Sequence, residues 1–96
     1  MISALLLIGQ TLPAVDLRSL TKTAPKEIAT FIERRAYCNH FLGEEPYDAE
    51  RAAELGKTLR ELRCNSIERD ERKVRRSYRK RPALIRLLDE TADALP

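Results

Sequence analysis

Tryptophan is absent from the ninety-six residues, glycine occurs three times and histidine once, and no apolar run is long. Each scarcity removes a class of protein. So few glycines leave no Gly-rich loop to cradle a phosphate, and neither a G-x-S-x-G elbow nor an H-E-x-x-H helix is present. The longest apolar stretch, Ala4-Leu5-Leu6-Leu7-Ile8 with Ile2 just before it, is far shorter than the ~20 residues of a membrane-crossing helix. No segment alternates apolar and polar residues over a useful length, so strands are not expected. Low glycine and 34% charged residues exclude collagen and low-complexity chains. A chain this short builds one core and therefore one domain.

What the chain does have is charge, unevenly placed. Eighteen Lys and Arg against fifteen Asp and Glu give a formal net charge of +3, too little to name a partner by itself. Residues 44–54 hold five acids and one basic residue, Arg51, whereas residues 69–81 carry Arg69, Arg72, Lys73, Arg75, Arg76, Arg79, Lys80 and Arg81 against only Asp70 and Glu71.

The first charged side chain is Asp16. The uncharged, apolar start matches the lower limit of a secretory h-region, with Pro13-Ala14 offering a cleavage site. No Lys or Arg precedes the run, and Leu12 is large for position −3, which points to a start codon placed elsewhere; the competing reading is a strand or helix turn packed on the core. The division expected is an export signal over 1–14, a tether over 15–23, and a single helical domain over 24–96.

Within that domain, Thr23 or Ala24 should cap a helix with Pro25 in its first turn and Glu27 near the positive end of its dipole. Ile28, Phe31, Ile32, Arg35 and Cys38 then recur at helical spacing, the apolar three facing the core. Gly43 suits a left-handed cap. Asp48 should cap the next helix, whose stripe is Ala52, Leu55, Leu59 and Leu62, with Gly56 admitting a close neighbour. Asn65 to Glu68 reads as a capping box opening a third helix that Pro82 ends. A last helix from Pro82 to about Ala94 carries Leu84, Ile85, Leu87, Leu88, Ala92 and Leu95, enough to make it the central packing element. The expected fold is all-α: three main helices and an extended strap.

Cys38 and Cys64 are an even pair in a small chain, consistent with one disulfide in an exported protein and with two buried thiols in a cytosolic one. If bonded, the closed loop would stabilise by roughly 3.5 kcal/mol on the chain-entropy model. In a simple antiparallel hairpin the two would lie about 18 Å apart, so a bond requires residues 39–48 to run back along the second helix as a strap. The first helix should then end near Cys38.

Cys38, His40, Glu44 and Asp48 fall within eleven residues and invite a metal reading, since Zn²⁺ takes thiolate, imidazole and carboxylate ligands. A bonded Cys38 cannot ligate, however, and no second histidine exists. A structural role is preferred, with Gly43 and Asp48 as caps and His40 capping carbonyls or pairing with Glu44 or Glu45. A Cys38–His40 nucleophile has no orienting acid or oxyanion donor to support it. No catalytic residue, metal, cofactor or small-molecule substrate is expected.

With Ile67 at 0° and ~100° per residue, Val74 and Tyr78 fall within about 20° of it, while Arg69, Arg72, Lys73, Arg75, Arg76, Arg79 and Lys80 fill an arc from about 80° to 240°, with Arg69, Arg72, Lys73, Arg76 and Lys80 the candidate contacts. One reading makes these five a face for an anionic partner. The other makes them a solvated surface laced by pairs such as Glu68 with Arg72 and Glu71 with Arg75, neutralising Glu50, Glu54 and Glu61 within the molecule. Nucleic acid is a weaker partner because Tyr78, the lone aromatic among these cations, lies on the core stripe.

Arg34-Arg35, then C-x-H-F-x-G-E-E-P-Y-D from Cys38 to Asp48, then Cys64, a basic segment ending near Tyr78, and Pro82-Ala83 resemble a set of small proteobacterial proteins that are predicted to be exported and are uncharacterised. The likeness covers residues 25 to 90, and it implies export and a Cys38–Cys64 bond, but no activity. Together these readings describe a monomeric, periplasmic or secreted binding protein. Its basic helix would meet an acidic protein or an envelope polymer. The alternatives are a cytosolic nucleic-acid-associated protein and a metal-binding protein using Cys38 and His40.

Overall fold

The computed structural model describes residues 17–96; the expected export signal and the first residues of the tether lie outside them. The described chain is all-α, with α1 (Leu17–Thr21), α2 (Lys26–Leu42), α3 (Ala49–Glu61), a 3₁₀ turn (Cys64–Ser66), α4 (Ile67–Ser77) and α5 (Pro82–Glu90). Where three main helices were expected there are four of nine residues or more. The expected tether is partly helical, because Leu17 of α1 packs against the core.

The apolar rhythm of α2 does what its spacing predicts: Ile28, Phe31 and Ile32 are buried, with Ala36 and Cys38 continuing the same side. They meet Val74 of α4 and Leu84 and Leu88 of α5 in one cluster, edged by Leu17, Ile67, Tyr78, Ile85 and Leu87. The central element is therefore α2, not the last helix, which ends at Glu90 instead of near Ala94 and leaves Leu95 beyond it and exposed. No residue of α3 belongs to that cluster. Of its expected stripe only Leu55 is buried, while Ala52 is exposed. Gly56 admits no neighbouring element either; a Cβ there would meet only the Arg60 guanidinium of its own helix.

Apart from the burial of Leu55, what holds α3 is covalent and polar. Cys38 and Cys64 are bonded, with their Cα atoms 5.6 Å apart. The expectation that α2 ends near Cys38 fails, since it runs one more turn to Leu42. The irregular connection is thus residues 43–48 instead of 39–48. Six residues reach at most ~20 Å, about the ~20 Å length of a thirteen-residue helix. That is enough for α3 to start far from Cys38 and bring its last turn back to it. Asp48 caps α3 as expected, accepting from the Arg51 N–H at 2.8 Å.

Three other caps differ from their sequence signals. Pro25 itself precedes α2, its carbonyl accepting from Ala29 N–H at 3.0 Å, so Thr23 and Ala24 stand outside. Gly43 has φ −85° and is right-handed; the left-handed residue is Arg63, at φ 55° and ψ 46°, closing α3. Asn65 is inside the 3₁₀ turn and Ser66 precedes α4, so the expected capping box is absent. The Ser66 hydroxyl bonds instead with Arg63 O and the Asp70 carboxylate.

Because α3 shares no core residue with α2, α4 and α5, replacing Cys38 and Cys64 by serine should lower stability by about 3 kcal/mol. Hydrogen exchange should show α3 amides losing protection before those of α2. Uniform loss along the chain would mean that packing, not the bond, holds α3.

Candidate functional site

The basic helix α4 presents two sides of different chemistry. Its inner side carries Val74, buried against α2, and two acids that face arginines of that helix. Arg34 donates from Nε to Leu62 O at 2.6 Å and from Nη2 to Arg63 O at 2.9 Å and Asp70 at 2.8 Å. One guanidinium thus caps the end of α3 and pairs with α4. Its hydrogen bond, helped by the Ser66 hydroxyl, holds the Asp70 carboxyl below the usual carboxylate range against a partial desolvation.

Arg35, the next residue, is 5% exposed. Its Nη2 donates to Leu88 O at 2.7 Å and Thr91 Oγ1 at 3.0 Å, and its carbon end lies 5.3 Å from the Phe31 ring centroid. Its Nη1 approaches Glu71 to 3.0 Å but without hydrogen-bond alignment, and Nε has no partner. The attraction to Glu71 there is charge to charge. Glu71 also accepts from Arg75 at 2.9 Å, as the i,i+4 spacing predicted, and Arg75 reaches Asp89 of α5 at 2.7 Å. The other predicted pair, Glu68 with Arg72, does not form among the described residues.

The outer side is where the five predicted face residues lie. Arg69, Arg72, Lys73 and Arg76 are exposed on α4. Lys80 is exposed too, but α4 ends at Ser77, so Lys80 belongs to the following turn and not to the helical arc. Arg69 lies 3.7 Å from Asp70; the other four make no ion pair among the described residues. None of them reaches the acids of α3: Glu54 pairs with Arg51, and no ion pair among the described residues joins α3 to α4.

An open groove of about 570 Å³ runs between α2 and α4, with buried Phe31 and Val74 beneath and Lys26, Arg63 and Lys73 at its margin. Its acids are occupied: Asp70 by Arg34, Glu27 by the Tyr78 hydroxyl at 3.0 Å. Arg63, Lys26 and Arg34 were not marked by the sequence reading of this face, because they belong to other segments. Tyr78 rests on the core with its hydroxyl engaged.

The residues of the former strap are scattered in role. Glu44 pairs with Arg51, whose Nη2 donates to it at 2.8 Å, and that hydrogen bond lowers its carboxyl, with a smaller contribution from His40 nearby. His40 itself caps no carbonyl. It stands edge-on to Phe41 at 4.8 Å. Asn39 donates to Ala92 O and Ala94 O at 3.0 and 3.1 Å, tying down the carboxyl-terminal segment. Cys38 is in the disulfide and offers no thiolate, and no cluster of three metal-ligating side chains occurs among the described residues. No described helix is long and apolar enough to cross a membrane.

No protein-family model matches the chain, and no curated protein or solved structure does either.

The lowered Asp70 carboxyl fixes the sign of one pH effect. A group depressed on folding contributes stability that is present above its unfolded pKa and lost as pH falls through the folded one. Stability should therefore decline below about pH 4, and Asp70→Asn should be less stable at neutral pH with a shallower acid decline. An unchanged acid slope in that variant would remove the Arg34–Asp70 pair as its source.

Proposed function

We propose that the protein is an exported, monomeric, non-catalytic binding protein that meets an anionic partner through α4. The observation that carries this reading is the sorting of charge on that helix. Asp70, Glu71 and Arg75 face α2 and α5 in ion pairs, while Arg72, Lys73 and Arg76 stand exposed and unpaired among the described residues, outnumbering the exposed Glu68, with Lys80 just beyond. Among the described residues no ion pair joins these cations to Glu50, Glu54 or Glu61. Residence in the periplasm or outside the cell is supported by the disulfide, since oxidising compartments keep such bonds. The partner's chemistry is that of an acidic protein or envelope polymer. Nucleic acid is disfavoured because the Tyr78 ring is packed on the core and cannot serve as a stacking platform.

Binding of a polyglutamate probe should weaken steeply between about 0.1 M and 1 M salt, as the screening length shrinks from about 10 to 3 Å. Arg72→Glu with Arg76→Glu should weaken it about tenfold at low salt, a loss of ~1.4 kcal/mol, and leave the melting temperature in place. A lowered melting temperature with unchanged affinity would show instead that these cations serve the fold.

A further inference from the structure

Two residues at the groove between α2 and α4 sit where local structure disfavours them. Arg63 occupies the left-handed region, which glycine enters without penalty and a residue with a Cβ does not. What the fold needs from position 63 is its backbone: the carbonyl accepts from Arg34 and from Ser66. Glycine would supply that equally well. Lys26 is the first residue of α2, at the positive end of the helix dipole, where a cation is unfavourable. Neither has an ion-pair partner among the described residues. What glycine at 63 or an acid at 26 could not supply is a positive charge at the groove, and both side chains line it together with Lys73.

We propose that this groove is the seat of an acidic peptide segment of a partner protein. The segment's carboxylates would meet Lys26, Arg63 and Lys73, and one apolar side chain would lie over Phe31 and Val74. The inference rests on the reading that the partner is anionic, and it adds the place and the chemistry of the contact. Charge complementarity commits the occupant. Of the two acids lining the groove, Asp70 is paired with Arg34 and Glu27, which accepts from the neutral Tyr78 hydroxyl, keeps its charge; Lys26, Arg63 and Lys73 outnumber it, so the net charge facing a ligand is positive. The apolar floor separates a peptide from a plain polyanion, which has nothing to place there.

The test uses the whole protein and a fluorescein-labelled peptide with a central leucine between aspartates, read by anisotropy, beside the same peptide with glycine at the centre. The leucine peptide should bind about tenfold more tightly, the effect of partly burying one such side chain. Arg63→Gly should weaken it about fivefold while raising the melting temperature by about 4 °C through relief of the left-handed residue. Arg63→Asn, which also tolerates that conformation, should weaken binding in the same way. Lys26→Glu should weaken it further, whereas Lys57→Glu, an equal charge change on exposed Lys57 of α3, should leave it within about twofold. Equal affinity for the two peptides, or equal loss from Lys57→Glu and Lys26→Glu, overturns the groove. If polyglutamate binding is then still sensitive to Arg72→Glu with Arg76→Glu, the broader reading survives that failure. If neither peptide nor polyglutamate binds, both readings fall.

Discussion

The bond between Cys38 and Cys64 sets a register from which the rest of the arrangement follows. Residues four apart on a helix share a face, so a segment bonded to Cys38 comes within reach of Arg34 one turn earlier. Once Cys64 is fixed to α2, the carbonyls of Leu62 and Arg63 at the end of α3 come to the Arg34 guanidinium, which satisfies groups that a helix end otherwise leaves without donors. The same guanidinium reaches Asp70 in the first turn of α4. Three segments are thus ordered around one side chain that the disulfide puts in position.

Arg35 does the corresponding work on the neighbouring face, between α2, α4 and α5. Burying a guanidinium is costly unless it is paired and hydrogen-bonded, and here Leu88 O, Thr91 and Glu71 share that function. The core cluster of six buried side chains is small, and the buried polar contacts give it direction more than strength. An apolar residue at 35 could pack against Phe31 and leave α5 free to rotate about its own axis; an arginine bonded to a carbonyl and a hydroxyl of the α5 end cannot.

The parts of this structure that were legible in the sequence are those written by periodicity. Ile28, Phe31, Ile32 and Val74 fall where helical spacing puts them, Asp48 caps α3, and Glu71 pairs with Arg75. Arg35 shared the row of Ile28, Phe31 and Ile32, and that placement was the available signal of its burial. What the sequence did not disclose is tertiary. A left-handed residue is sought at glycine because glycine adopts it cheaply, so Gly43 drew the assignment and Arg63 did not. The Arg34 bonds span twenty-eight to thirty-six positions, beyond any local rule. An end of α2 at Cys38 follows only if the strap needs the whole of 39–48, whereas six residues suffice to return α3 to Cys38.

The same distinction bears on function. Helical projection places Lys73 among the exposed cations of α4 but brings neither Lys26 nor Arg63 to it, since one opens α2 and the other closes α3. The fold brings all three to one groove. A flat face of cations on a helix attracts any polyanion, and salt screens it accordingly. A groove with an apolar floor asks more of its ligand, because carboxylates and an apolar group must arrive in one spacing. The cations of α4 would then raise the rate of encounter and the groove would decide what stays. Selectivity of that kind would draw on the disulfide and on Arg34 together, because both hold the end of α3, and with it Arg63, against α2.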